Sequence, residues 1–152
     1  MNQTGDTNAC AFPHRIRLRG PWLYESLAPG PVQKGRVQLP ADWGATLGAD
    51  FRGRVRYVRR FNWPGSLAAG ERIWLVIEGV DARGAAVLNG TRLGEIEGYT
   101  VPAVFDVHQL VRPRNELVLE VELPAHSPPP RPGREHLPGG PIGEVRIEIR
   151  PE

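Results

Sequence analysis

The chain has 152 residues, 40% of them hydrophobic and 24% charged, and its 19 Lys and Arg exceed its 17 Asp and Glu by a net charge of only +2. That length is enough for one domain to bury roughly 70% of its unfolded surface without staples, the single Cys10 excludes an internal disulfide, and so small a charge excess argues against a nucleic-acid partner. No apolar run reaches the ~18 residues of a membrane span, and Met1 to Asn8 lacks the basic start and apolar core of a signal peptide, so a chain complete as it stands is expected in the cytoplasm and away from membranes.

Met1 to Pro13 is polar and without periodicity, a lead-in to a domain expected over residues 14 to 152. Arg15-Ile16-Arg17-Leu18-Arg19 then alternates strictly and predicts a half-buried strand with Ile16 and Leu18 on one face. Gly20-Pro21 ends it, Trp22-Leu23-Tyr24 resumes pairing, and Gly35 to Leu39 makes another short strand stopped by Pro40. Ala41 to Gly53 reads as a loop around Trp43. A loop tryptophan is either a platform on which a pyranose face stacks or a plug closing the end of a β-sandwich, and its large hydrophobic payload favours the plug.

Arg54 to Phe61 is a strand with Val55, Tyr57 and Phe61 inward. Arg59 falls on that same inward phase, where a guanidinium needs a carboxylate or carbonyl partner, as a structural ion pair or as part of a site. The ion pair is the simpler expectation. After a turn region at Pro64 to Gly70, Ile73, Leu75 and Ile77 share one face of the next strand. Asn89-Gly90 between Ala85-Ala86-Val87-Leu88 and Thr91-Arg92-Leu93 is a hairpin signal, because both residues accept the positive φ of a type I′ turn. The sequons at Asn2 and Asn89 are discounted for a cytoplasmic chain. Asp106 is placed to cap a helical turn over Val107 to Leu110 rather than to bind a metal.

Leu117, Leu119, Val121 and Leu123 form an inward stripe, with Glu116, Glu120 and Glu122 outward; facing the arginines of other strands, these predict cross-strand ion pairs rather than a phosphate-tracking face. Pro124 to Pro141 is a proline-rich loop, and Val145, Ile147 and Ile149 mark a last strand. His126 and His136 lie ten positions apart with no third ligand, so neither a metal nor a cofactor is expected. Short strands at this spacing predict an all-β sandwich with Leu75, Ile77, Val87, Phe105, Leu117, Leu119, Val121, Val145 and Ile147 in the core.

Tyr57-Val58-Arg59-Arg60-Phe61, Leu75-Val76-Ile77-Glu78-Gly79-Val80-Asp81, Val87-Leu88-Asn89-Gly90, Val104-Phe105-Asp106-Val107, Asn115-Glu116-Leu117 and Gly139-Gly140-Pro141-Ile142-Gly143-Glu144-Val145 follow one another in a familiar order. This order resembles the N-terminal sugar-binding domain of family 2 glycoside hydrolases, the β-galactosidases and β-glucuronidases. The resemblance implies a jelly-roll β-sandwich of the galactose-binding-domain-like kind. In that family the two catalytic glutamates belong to a (β/α)₈ barrel, and nothing in these residues corresponds to it or offers carboxylates ~5 Å apart across a glycosidic bond. The resemblance therefore implies a non-catalytic carbohydrate-binding module. The alternative is an accessory domain without sugar affinity, paired with a protein such as a glycoside hydrolase. In a jelly roll, recognition falls to loops at the sandwich edge. If the two longest loops converge, Trp43, Asp42, Asp50, Arg134, Glu135 and His136 are the candidate ligand-binding residues.

Overall fold

The computed structural model describes residues 14–63, 65, 67 and 69–151; Cys10, the Asn2 sequon and the lead-in lie outside them, as do parts of the 64–70 turn region. It shows two antiparallel sheets, the β-sandwich expected from the strand spacing. The smaller sheet orders β1 (His14–Arg17), β10 (Val145–Pro151), β5 (Glu71–Ile77) and β8 (Ala103–Asp106). The larger orders β3 (Lys34–Val37), β2 (Trp22–Ala28), β4 (Gly53–Asn62), β9 (Arg114–Leu123), β6 (Arg83–Leu88) and β7 (Thr91–Ile96).

Strand β9 shows how the pattern becomes structure. Its odd-numbered residues Leu117, Leu119, Val121 and Leu123 are completely buried, while the even-numbered positions carry glutamates that meet arginines of both neighbours. Arg60 reaches Glu116 at 3.2 Å and Arg56 reaches Glu120 at 3.1 Å from β4, and Arg83 reaches Glu122 at 2.9 Å from β6. The ladder with β4 runs unbroken from Gly53 opposite Leu123 to Asn62 opposite Arg114. Against this wall pack Leu75, Ile77, Val145 and Ile147 of the smaller sheet, all buried. The Asn89-Gly90 turn has φ of 51° and 84° as a hairpin of that type needs. Asn89 also lends its amide to Leu110 O and Asn115 Oδ1 and accepts the Glu116 N–H, so its side chain ties three segments together. Asp106 caps its turn through the His108 N–H at 3.0 Å, and this bond, more than Arg72, holds its carboxyl below the usual range.

Five expectations need correction. Ile16 is 41% exposed and all of β1 is exposed, because this strand is a sheet edge; only Leu18, just beyond it, is buried. On β6 the buried residues are Ala86 and Leu88, not Val87, which is half-buried on the opposite face next to an irregularity at Ala86/Val87. Phe105 packs against the core but is only partly covered. The Ala41 to Gly53 loop contains one helical turn, α1 (Gly44–Leu47). The ion pair expected for Arg59 is likewise absent among the described residues: it donates instead to the Arg60 carbonyl.

The outer face of the smaller sheet carries a buried acid. Glu148 is 2% exposed and receives hydrogen bonds from Arg146 and Arg150, the latter stacked 5.7 Å over Trp74. Burial alone pushes its carboxyl up, but the hydrogen bonds and charges of both arginines outweigh it, and the pKa falls below the ordinary 4.5. A depressed carboxyl contributes stability that is complete above its unfolded pKa and is lost as pH falls through the folded one. Glu148→Gln is thus expected to lower the urea midpoint at pH 7, with the gap to the parent closing as the pH is taken below 4.5; a gap independent of pH would show the charge to be irrelevant.

Candidate functional site

Strand register gathers the long connections at one end. Gly53 opens β4 opposite the last residue of β9, Arg83 opens β6 opposite Glu122, and Val145 opens β10 opposite the last residue of β5. The connections over residues 38–52, 78–82, 97–102 and 124–144 therefore meet, and the last three of them cross from one sheet to the other. Residues 78–82 and 139–140 meet as an isolated antiparallel bridge, Asp81 and Gly140 exchanging N–H···O bonds of 2.8 and 2.9 Å.

Asp81 is the hub of this end. Its side chain is fully buried and accepts from Arg131 Nε at 2.7 Å, Arg131 Nη2 at 2.8 Å and Arg134 Nε at 2.7 Å. The same two guanidiniums donate onward to the carbonyls of Glu135, Leu137 and Pro138, so the proline-rich connection is fastened to the sandwich by charge where it has little apolar side chain to bury. The hydrogen bonds with Asp81 raise the Arg131 pKa despite its burial, keeping the guanidinium charged. Gly139 is required by close approach: a Cβ there would lie 2.6 Å from Asp81 O and 2.9 Å from Trp43 Cζ2.

The two loops converge. Trp43 N–H donates to Gly139 O at 2.9 Å, Ala41 N–H to Pro141 O at 3.1 Å, and Arg134 approaches Asp42 at 3.9 Å. Trp43, however, is fully buried, its Nε1 donating to Phe51 O at 3.2 Å and its ring edge-on to Phe51 at 5.3 Å. It plugs the sandwich and offers no face to a sugar. Asp42 is half-exposed and accepts the Gly44 N–H, Glu135 is exposed and accepts the Gly133 N–H, and His136 is exposed on the same loop. Asp50 is exposed and joined to none of the others.

Beside the hub opens a cleft of about 390 Å³, lined by Arg83, Glu95, Glu97, Tyr99, Thr100, Pro129, Pro130 and Pro132. The Tyr99 hydroxyl donates to Pro132 O at 2.6 Å, and its pKa is raised, first by desolvation and then by the charge of Asp81. Tyr99 and Asp81 were invisible as site residues in the sequence; the one signal for Asp81 was its place in the Gly79-Val80-Asp81 motif. The cleft pairs an aromatic and proline wall with carboxylates and a hydroxyl, a set suited to a polyhydroxylated ligand. Among the described residues no group of three His, Cys, Asp or Glu side chains is placed to hold a metal ion.

Residues 51–139 match the family model described as glycosyl hydrolase 2 galactose-binding domain-like. Among curated proteins no sequence relative matches. Among solved structures, an FMN-binding β-glucuronidase from Faecalibacterium prausnitzii L2-6 is 24% identical with a TM-score of 0.76, over 91% of this chain and 23% of that one. A Bifidobacterium dentium β-glucuronidase complexed with coumarin-3-O-glucuronide is 22% identical with a TM-score of 0.74, over 91% and 30%. A β-galacturonidase from Eisenbergiella tayi bound to galacturonate is 20% identical with a TM-score of 0.66, over 90% and 24%. At these identities the likeness is one of fold, and the chain spans under a third of each enzyme's length.

Proposed function

Because the chain belongs to the glycosyl hydrolase 2 galactose-binding domain-like family, we propose that it acts as a non-catalytic carbohydrate-binding module, taking its sugar in the cleft beside Tyr99. The observation that carries this reading is the convergence of the long connections over buried Asp81, which leaves a rigidly backed polar cleft at the sandwich end. Tyr99 and the prolines supply flat apolar faces for a pyranose, and Glu97 and Thr100 supply hydrogen-bonding groups. In this proposal Arg134 acts through its bond to Asp81, which lines the cleft, while Asp42, Glu135 and His136 lie on the adjoining loops outside its lining.

Titration of the protein with neutral monosaccharides and oligosaccharides, followed by amide shifts, tests the site. Shifts at Tyr99, Thr100 and residues 131–136 are expected, and Tyr99→Ala should abolish them while leaving the fold intact. Saturable shifts confined to other surfaces, or none across the panel, would sink this reading. Purified protein is also expected to leave aryl glycosides intact; turnover abolished by one Asp or Glu substitution would show that the chain has a catalytic site of its own.

A second reading, an accessory domain without sugar affinity, is favoured by a separate observation. Trp22 and Trp43 are wholly buried, while Trp63 and Trp74 are half-covered, so large aromatic platforms are scarce. The loop end then seats against another protein domain, such as that of a glycoside hydrolase, and glycans leave its amides unmoved.

A further inference from the structure

A larger cleft, of about 630 Å³, lies elsewhere, between β1 and the far ends of β4 and β9, and Arg59 is among the residues that line it. Arg59 sits opposite fully buried Leu117 in the β4–β9 register, which aims its side chain between the sheets. Its Nη1 donates to the Arg60 carbonyl at 2.9 Å. Its Nε is covered and meets no acceptor. Among the described residues no carboxylate lies within ion-pair distance of it, although two of the cations lining the same cleft are matched: Arg60 holds Glu116 at 3.2 Å and Arg17 holds Glu144 at 2.8 Å. Among the described residues Glu116 is the one acidic residue lining the cleft, against four arginines, Arg17, Arg59, Arg60 and Arg114. Asn89 and Asn115 also line it, but their amides are spent on Leu110 O, Phe61 O and Arg112 O, so they brace the wall.

Arg59 as a whole is half-buried, but its covered Nε is an unmatched donor, and a covered donor is costly unless something supplies the acceptor. A merely solvated arginine would gain most on the outer phase of the strand, where its neighbours Arg56 and Arg60 stand. With Nη1 tied to the backbone, the edge formed by Nε and Nη2 is left, and that edge matches the two oxygens of a carboxylate in parallel hydrogen bonds. Turning it toward an acceptor that enters the cleft relieves the unmatched N–H. Ile16, 41% exposed, and half-buried Phe61 and Trp63 provide an apolar lining for the rest of such a molecule.

We propose that this cleft binds a small carboxylate-bearing molecule, with Arg59 as its anchor and Arg114 as a second cation at the mouth. The site is independent of the Tyr99 cleft and does not rest on the sugar reading. The test is calorimetric and amide-shift titration at low ionic strength with acetate, glucuronate, glucose and inorganic phosphate. Acetate and glucuronate are expected to shift residues 59–63 and 114–116, and glucose to leave them unmoved. Arg59→Gln should weaken glucuronate about tenfold or more, a loss of one good charged contact, and Arg59→Lys should not restore it, because a point charge lacks the fork. Tyr99→Ala should bind as the parent does. Should Arg59→Gln fail to fold, Arg114→Gln, at an exposed strand end, is expected to weaken binding by a smaller factor. Absence of saturable carboxylate binding, equal affinity for phosphate with full rescue by Arg59→Lys, or unchanged affinity in both glutamine variants would each overturn the proposal.

Discussion

Asp81→Ala is expected to lower folding stability by about 3–5 kcal/mol, the range seen when one partner of a buried ion pair is removed. The loss arises less from the bonds broken than from the charge left behind. Arg131, only 6% exposed, would keep a guanidinium with no counter-charge in the interior. Its bonds to the carbonyls of Glu135 and Leu137 depend on the same anchoring, as does the Arg134 bond to Pro138 O, so the 131–138 segment should loosen with it. Urea unfolding gives the stability change and amide hydrogen exchange the local one. Asp81→Asn keeps the shape and one acceptor but not the charge, and should fall between parent and alanine variant. A change under about 1 kcal/mol for Asp81→Ala, the size of a solvent-screened pair, would show that the hub is not what holds the connection.

Trp43→Ala is expected to cost about 3–5 kcal/mol, as deletion of a fully buried aromatic does. The indole fills the space between Phe51 and Gly139, and Gly139 approaches so closely because its missing Cβ leaves room for the ring. Collapse of Gly139 into the resulting cavity is opposed by its hydrogen bond from the Trp43 backbone and by the bridge of its neighbour Gly140 to Asp81. The folded fraction of the variant should retain whatever sugar affinity the parent shows. The opposite result, normal stability with sugar binding gone, would return Trp43 to the role of platform.

The sequence determined the strands of this protein, their hairpin and the family, because each rests on local information. A period of two along Leu117 to Leu123, two residues that tolerate positive φ at Asn89-Gly90, and motifs in fixed order survive without knowledge of any distant neighbour. Tertiary structure decided what faces each strand. Ile16 alternates as faithfully as Leu119, yet it lies on an edge where the second sheet does not cover it. Val87 lies in an apolar run whose phase only the pairing of β6 with β9 and the irregularity against β7 could assign. The alternation placed Arg59 inward, but whether a carboxylate would meet it there depended on which strands and loops packed over β4. Asp81 and Arg131 are fifty positions apart and on separate crossings, so their ion pair exists only once both connections are drawn to the same end of the sandwich. Periodicity reports how a residue is oriented on its own strand, and an ion pair or a cleft is a property of two segments whose separation the periodicity does not contain.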